Sequence, residues 1–525
     1  MKNILKNILT GCIFIATLSS CSDEWLDIIP KDLIIEEEFW KSRQQLEEAV
    51  AGCYMEMLVD EKISGDDKKL NGVVKQMILW GELRADNVAP SSNAVDDENK
   101  IATCNIIPSN PFCHWKHFYS VINNCNLVLE NAGLVKNHDK TISDKEIDAY
   151  KAEALAIRSL MYFYLVRTYK EAPLILTPSK TNEQNYYVSK SGEQEILNQI
   201  VLDLNTAYNN AIAHFDQNSA YNRGRFNKTS VAALLADVYL WMERYQDCID
   251  ACNTVMTDKN VVFLKDSYAW DQIFKKGNSN ESIFELQYGN NTNGKMNSVL
   301  FQCYGSTSKS AHLVAPTDSR NWNLLSIFNE NPNHPVATDR RILYSLGISD
   351  PASISTTTNP IFKFPDSEQS AVNWILYRLS DIYLMKAEAL VQQDFDKNAE
   401  EALRLVNQTY MRAHDMDISL DSLTVGSYND KQKMADLILR ERQREFLYEG
   451  KRWYDLLRTS RREKDNPMRV FNEFILPNVN SSYRVLAEGK FKNEWARYLP
   501  VPLSDMESNP NMKQNPFYDT GITKK

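Results

Sequence analysis

Few residues in this 525-residue chain stand at spacings that do chemistry, and the cysteines are the first to test. Cys104, Cys113, His114, His117 and Cys125 form the densest group of metal-ligating types. Cys113 and His117, four apart, would share one face of a helix. Structural zinc sites usually show two close ligand pairs, however, and Trp115, Tyr119, Ile122 and Leu127 follow the spacing of an amphipathic core helix. No metal and no cofactor are expected. Paired carboxylates for glycoside hydrolysis are set by spatial rather than sequential distance. Glu441 and Glu445, in Arg440-Glu441-Arg442-Gln443-Arg444-Glu445, are better explained as helix ion pairs. The chain has no dinucleotide fingerprint, Walker loop, zincin helix, nucleophile elbow or EF-hand loop. No catalytic pair announces itself in the sequence.

The most informative cysteine is near the start. Lys2 and Lys6 precede a mostly apolar run, Ile8 to Leu18, too short to span a bilayer as a helix. That is the pattern of a secretory signal peptide. It ends in Leu18-Ser19-Ser20-Cys21, which resembles the bacterial lipobox, so Cys21 is the expected lipidation site and residues 1–20 the expected leader. Acyl chains there would anchor an otherwise soluble body, each buried methylene contributing about 0.8 kcal/mol. Ser22-Asp23-Glu24 resembles an export signal to the cell surface. Loss of residues 1–20 removes two lysines and no acid, taking the net charge from −10 to −12. Such a balance argues against nucleic-acid binding, which needs a basic footprint. Seven cysteines then remain besides Cys21, so not all can pair within the chain. Cys248 and Cys252, four apart on a probable helix face, are best explained as buried small side chains.

Glycine is scarce, 17 residues, which favours helices over hairpins. Periodicity predicts helices over Ile147–Tyr169, closed by Pro173, and over Glu193–Ala213. Helical pairs follow at Thr229–Glu243 with Tyr245–Met256, and at Ile375–Val391 with Ala399–Arg412. Ala232, Ala233 and Ala236 beside Tyr239 and Leu240 resemble a tetratricopeptide unit, although unrelated amphipathic hairpins fit the same periodicity. Between about 260 and 370 the period fades into long loops with short strands such as Ser282–Tyr288, and a strong helix returns over 431–458. Loops that long are usually functional or disordered. Tyr268, Trp270, Tyr288, Tyr304 and Trp322 lie among them.

Several blocks together carry a family resemblance. Cys21 is followed by Trp25-Leu26-Asp27-Ile28-Ile29-Pro30. Trp80 to Asn87 forms an acidic turn, and Ala152 to Tyr169 with Pro173 a long helix with a closing proline. Arg378 to Leu390 contains Ala387-Glu388-Ala389. Glu441-Arg442, Glu445-Phe446, Glu449-Gly450, Arg452-Trp453, Asp455-Leu456 and Arg458 form a further block. Pro500-Val501-Pro502, Asn509-Pro510-Asn511 and Gln514-Asn515-Pro516 close the chain. The sequence resembles the SusD/RagB family of outer-membrane nutrient-binding lipoproteins, departing from it at Pro516-Phe517-Tyr518, where the family often has glycine before tyrosine. The resemblance implies a mostly α fold, with tetratricopeptide-like helical pairs as scaffold and a loop-rich, irregular ligand-binding region. The expected division is residues 1–20 as leader and 21–525 as one SusD-like domain, in parts of about 21–260, 261–370 and 371–525.

The resemblance also implies function without catalysis. A surface-facing, lipid-anchored outer-membrane protein would capture an oligosaccharide and deliver it to a SusC-like TonB-dependent transporter. A non-sugar nutrient such as a peptide, or a surface glycoside hydrolase, are the alternatives. Sugar faces pack on flat aromatic rings while their hydroxyls need planar polar partners. The early loop, Asn87 to Lys100, offers Asn93, Asp96 and Asp97 but no aromatic ring. Asn93 and Asp96 are the early ligand candidates, and Trp270, Tyr288, Tyr304 and Trp322 the later ones. The family motifs themselves read as scaffold, because Trp453, Leu456 and Leu457 form an apolar stripe between pairable Arg and Glu.

Overall fold

A computed structural model describes residues 39–63, 69–179, 186–215, 219–289, 296–305, 311–316, 327–331, 338–348, 360–365, 371–415, 422–479 and 481–519. The expected leader, Cys21 and Trp322 lie outside the described residues.

The longest helix, Asp144–Tyr169, organises the N-terminal part. It starts at a capping box, in which the Ser143 hydroxyl accepts from the Glu146 amide and the Glu146 carboxylate accepts from the Ser143 amide. It ends where Lys170 takes a φ of +69°. The amphipathic stripe widens here to burial on nearly every side from Ala152 onward, which places the helix between layers. The enclosed arginines find partners, while the buried Ser159 hydroxyl finds none among the described residues. Arg158 donates to Asp203 (2.7 Å) and Asn126 (2.8 Å), and Arg167 lies over the rings of Phe163, Tyr164 and Tyr454.

Helix Lys116–Asn131 packs on one side of this element and Glu193–Asn210 on the other. Lys228–Trp241 folds back on Tyr245–Met256, and Leu379–Gln393 on Phe395–Ala413 through the single residue Asp394. The two hairpins pack together through Tyr245–Met256 and Leu379–Gln393. A mostly α scaffold of consecutive helical pairs is thus the observed architecture, consistent with a tetratricopeptide-like arrangement.

Two expected helices are corrected. Trp374–Arg378 is a fully buried strand, antiparallel to Ser282–Leu286 with Ser282 opposite Arg378 and Leu286 opposite Trp374, and the helix begins only at Leu379. A run of bulky apolar residues buried on both faces satisfies a strand as well as a helix. The expected helix over 431–458 is two helices, Lys431–Glu445 and Arg452–Arg462. Between them Tyr448 and Gly450 have φ values of +68° and +74°, which no α-helix accommodates. The loop-rich stretch contains the short helices Ser267–Lys276, Ser298–Tyr304 and Arg340–Leu346.

Glu441 and Glu445 are also corrected from simple helix pairs. Only Arg444 to Glu441 (2.9 Å) is local. Glu445 accepts from Arg341, Arg378 and Arg412 and from the Trp270 indole, all on distant elements. Glu441 accepts from Arg341 at 2.8 Å. These buried guanidiniums hold the Glu445 carboxyl well below the usual range although burial alone would raise it.

Candidate functional site

The site region is built on a buried junction between the two motif blocks. Helix Val73–Glu82 ends in the turn Leu83–Asn87, which meets the segment between helices Lys431–Glu445 and Arg452–Arg462. Arg452 grips Asp86 through Nε (2.7 Å) and Nη2 (3.0 Å), and the Gln443 amide donates to Asp86 and Asn87. Glu82 accepts from the Gly450 amide (2.7 Å) and from Asn87 (3.1 Å), yet burial pushes its pKa up to about 8. Gly81 is required because a Cβ there would lie 1.9 Å from the Gly450 carbonyl. Both blocks therefore act as scaffold, as their patterning suggested.

From this junction the early loop runs outward. Ala89 and Pro90 pair antiparallel with Val314 and Leu313, and the Ser91 amide donates to the His312 carbonyl at 2.8 Å. Helix Asp96–Ala102 then aims Glu98 inward. Its carboxylate meets Lys75 Nζ at 2.7 Å and His312 Nδ1 at 2.8 Å, and Lys75 also donates to Gln302 at 3.2 Å. Burial opposes both charges. The Lys75 ammonium and His312 nevertheless hold Glu98 down to about 2, while Cys303 and Glu98 raise Lys75 above its ordinary value. A buried charged staple thus joins the early loop to the later loop-rich region.

The ligand candidates fall on both sides of this seam. Asn93 is half-buried and its amide reaches the Ala311 carbonyl at 3.3 Å, so it lies where the two regions meet. Asp96 is exposed and pairs with Lys100 at 2.7 Å. Three of the four later aromatics are not brought to the surface, which corrects the expected platform. Trp270 is buried with its indole on Glu445 (3.1 Å) and Lys363 Nζ 5.0 Å from its ring. Tyr288 is buried beside strand Ser282–Leu286. Tyr304 stacks on Phe364 with centroids 5.4 Å apart. The fourth, Trp322, lies outside the described residues.

Tyr268 is the most exposed ring among the described residues of this region, at 62%. Trp270, Ile273 and Phe274 form the buried stripe of helix Ser267–Lys276. A residue two positions before Trp270 falls on the opposite face, a signal already present in the spacing.

The metal-like cluster does not assemble. Among the described residues no group of three or more His, Cys, Asp or Glu could hold an ion. Burial pushes the Cys104 and Cys113 thiols up to about 11 and about 12, which disfavours the thiolates a metal needs. The seven cysteines of the described residues are buried free thiols. Nor is any helix of the described residues long and apolar enough to cross a membrane.

Fold and seam together define a helical-pair scaffold in which a buried ion network ties the early loop to the loop-rich region. Residues 348–518 match the SusD family, and residues 25–240 match a family described as "Starch-binding associating with outer membrane". The chain belongs to the SusD/RagB family. A SusD-like protein of Formosa agariphila is 26% identical, covering 88% of this chain and 92% of that protein. A second from the same organism is 22% identical over 98% of this chain and 100% of that protein. Among solved structures, a SusD superfamily protein from Bacteroides vulgatus shares the fold at a TM-score of 0.72 and 19% identity, covering 91% of this chain and all, 100%, of that one. A structure described as a putative sugar binding protein, also from Bacteroides vulgatus, aligns at a TM-score of 0.66 and 20% identity, covering 91% and 99% of the two chains.

Proposed function

We propose that this protein is a surface-exposed lipoprotein, anchored through Cys21, that captures an oligosaccharide and hands it to a SusC-like TonB-dependent transporter without turning it over. The match of residues 25–240 to a starch-binding, outer-membrane-associating family carries this reading. It is supported by the lipobox spacing at Leu18 to Cys21. Binding without chemistry needs only an aromatic face and a few fixed polar groups. Among the described residues, Tyr268 offers an exposed ring and Asn93 and Asp96 offer polar groups.

The lack of an aromatic in Asn87–Lys100 favours a second reading, the same scaffold taking a peptide. Affinity electrophoresis of the lipid-free mature chain against soluble polysaccharides separates the two. Retardation by at least one polysaccharide, with no product released, supports the proposal. Retardation by none, with binding to a peptide mixture, overturns it in favour of the second reading. Co-purification of the intact lipoprotein with an outer-membrane transporter tests the partner.

A further inference from the structure

A groove on the helical side, remote in sequence from the early loop, has the composition of a second ligand surface. A cavity of about 1030 Å³ is walled by Tyr150, Asn209, Asn210 and Phe215. A smaller one, about 340 Å³, is walled by Gln44, Glu48, Tyr54 and Gln287. Both are bordered by Glu47, Tyr221 and Arg225, so the two form one trough divided by these three side chains.

The divider is rigidly built. Arg225 donates to both oxygens of buried Glu153, at 2.9 and 2.7 Å, and to Glu47 at 3.1 Å. Tyr54 closes the arrangement by donating to Glu153 at 2.8 Å. The guanidinium sits 4.8 Å from the Phe215 ring centroid and 5.5 Å from that of Tyr221. These two rings meet edge to face, 6.4 Å apart. Tyr221 nonetheless remains 48% exposed, so a ring fixed by its neighbours presents apolar surface to the trough. Another cavity, about 690 Å³, has two of its rings, Trp115 and Tyr119, tied back by hydrogen bonds. The Trp115 indole donates to Asp505 (2.9 Å) and the Tyr119 hydroxyl to the Pro173 carbonyl (2.7 Å).

The electrostatics select the ligand class. Arg225 is already neutralised by two carboxylates, so it does not serve as an anion site. With Glu153 counted, the carboxylates Glu47, Glu48, Glu146 and Glu153 outnumber Lys145, Lys228 and Arg225 by one, so the walls carry no excess positive charge to attract an anion. A neutral ligand is favoured, one with an apolar face for the Tyr221 ring and hydroxyls for the flanking amides and carboxylates. We propose that this trough is a second carbohydrate-binding surface for a neutral pyranose oligosaccharide, with Tyr221 as its stacking platform. The proposal rests on the glycan reading above and extends it to a different face.

The test is native-gel affinity electrophoresis of the mature chain on soluble starch, arabinoxylan, galactomannan and mixed-linkage β-glucan, with Tyr221→Ala and Tyr221→Phe beside the wild type. On any polysaccharide that retards the wild type, Tyr221→Ala should weaken binding by about 3- to 10-fold, the range for loss of one aromatic contact. Tyr221→Phe should bind as the wild type, because the ring face does the work. Equal retardation of Tyr221→Ala and wild type overturns the trough and leaves the glycan reading standing. Retardation of the wild type by none of the four, and by no other polysaccharide, removes both. Hydrogen exchange with the retarding oligosaccharide added covers the case of a destabilised variant. Protection at 43–56 and 219–225 is expected, and its absence counts against the trough.

Discussion

The Lys75–Glu98–His312 staple should be an energetic unit, and Glu98→Gln is the cleanest way to break it. Glutamine keeps the side-chain length and the acceptor for the Val95 amide (3.0 Å), so the cap of helix Asp96–Ala102 survives. What is lost is the charge opposite Lys75, whose ammonium is fully buried. Two estimates of the cost agree. Removing one partner of a buried ion pair typically destabilises by about 3–5 kcal/mol. Independently, a carboxyl held near 2 against an ordinary 4.5 corresponds to about 3 kcal/mol, at about 1.4 kcal/mol per tenfold change in proton affinity. The assay is urea unfolding followed by tryptophan fluorescence, on Glu98→Gln, Lys75→Met and the double variant. Each single change should cost about 3 kcal/mol, and the double change clearly less than the sum, because it leaves no uncompensated charge. The folded-state pKa of Glu98 is depressed, so its contribution is complete above the unfolded value, about 4.3, and disappears as the pH falls toward about 2. Wild-type stability should therefore drop across that window by more than that of Glu98→Gln. Single losses below about 1 kcal/mol that simply add would refute the reasoning that these charges act as one unit.

Three further outcomes are expected. Gly81→Ala drives a Cβ into the Gly450 carbonyl, 1.9 Å away, and should cost at least about 2 kcal/mol in urea midpoint analysis, since backbone cannot step aside as a side chain can. Trp270→Ala should lose about 3–5 kcal/mol of stability, whereas Tyr268→Ala should leave the melting temperature within error and weaken oligosaccharide binding, a contrast read by calorimetry and affinity gels. Glu445→Gln removes the negative charge shared by Arg341, Arg378 and Arg412, each of which keeps another carboxylate; about 3 kcal/mol is expected, with flattened acid destabilisation because the Glu445 pKa is lowered in the folded chain.

The helical scaffold was legible because its signals are local. The Tyr245–Met256 helix lies where its period places it, and the Asp144–Tyr169 helix carries its capping box in the sequence. Where the expectation failed, the deciding contact lay far away in the chain. Nothing within Trp374–Arg378 separates strand from helix; Ser282–Leu286, about ninety residues earlier, decides it by pairing. The break between Lys431–Glu445 and Arg452–Arg462 was visible in Gly450 but not in Tyr448, whose φ is also positive in a segment that Glu82 holds through the Gly450 amide. The charged residues of the same block are a further case: spacing offers them local partners, and the fold gives Glu445 three guanidiniums from other elements instead.

The same distinction governs the site. A ring's type does not say which way it faces: Tyr268, Tyr288 and Tyr304 carry the same ring in the same region, and of the three Tyr268 alone is exposed. Trp270 and Tyr304 are anchors that fix the region on the buried ion network and on Phe364, and that fixing is what leaves Tyr268 standing on the outer face of the same helix as Trp270. Exposure at fixed geometry, rather than ring size, is therefore the property that ligand contact requires. Tyr268 on the loop side and Tyr221 on the helical side both have it. If both faces bind one polymer, each site alone need only be weak, because the second contact forms at the high effective concentration set by the first. Single alanine changes at either ring should then weaken capture of a long polysaccharide far more than capture of a short oligosaccharide that reaches only one face. Equal effects on long and short ligands would show that the two faces work separately.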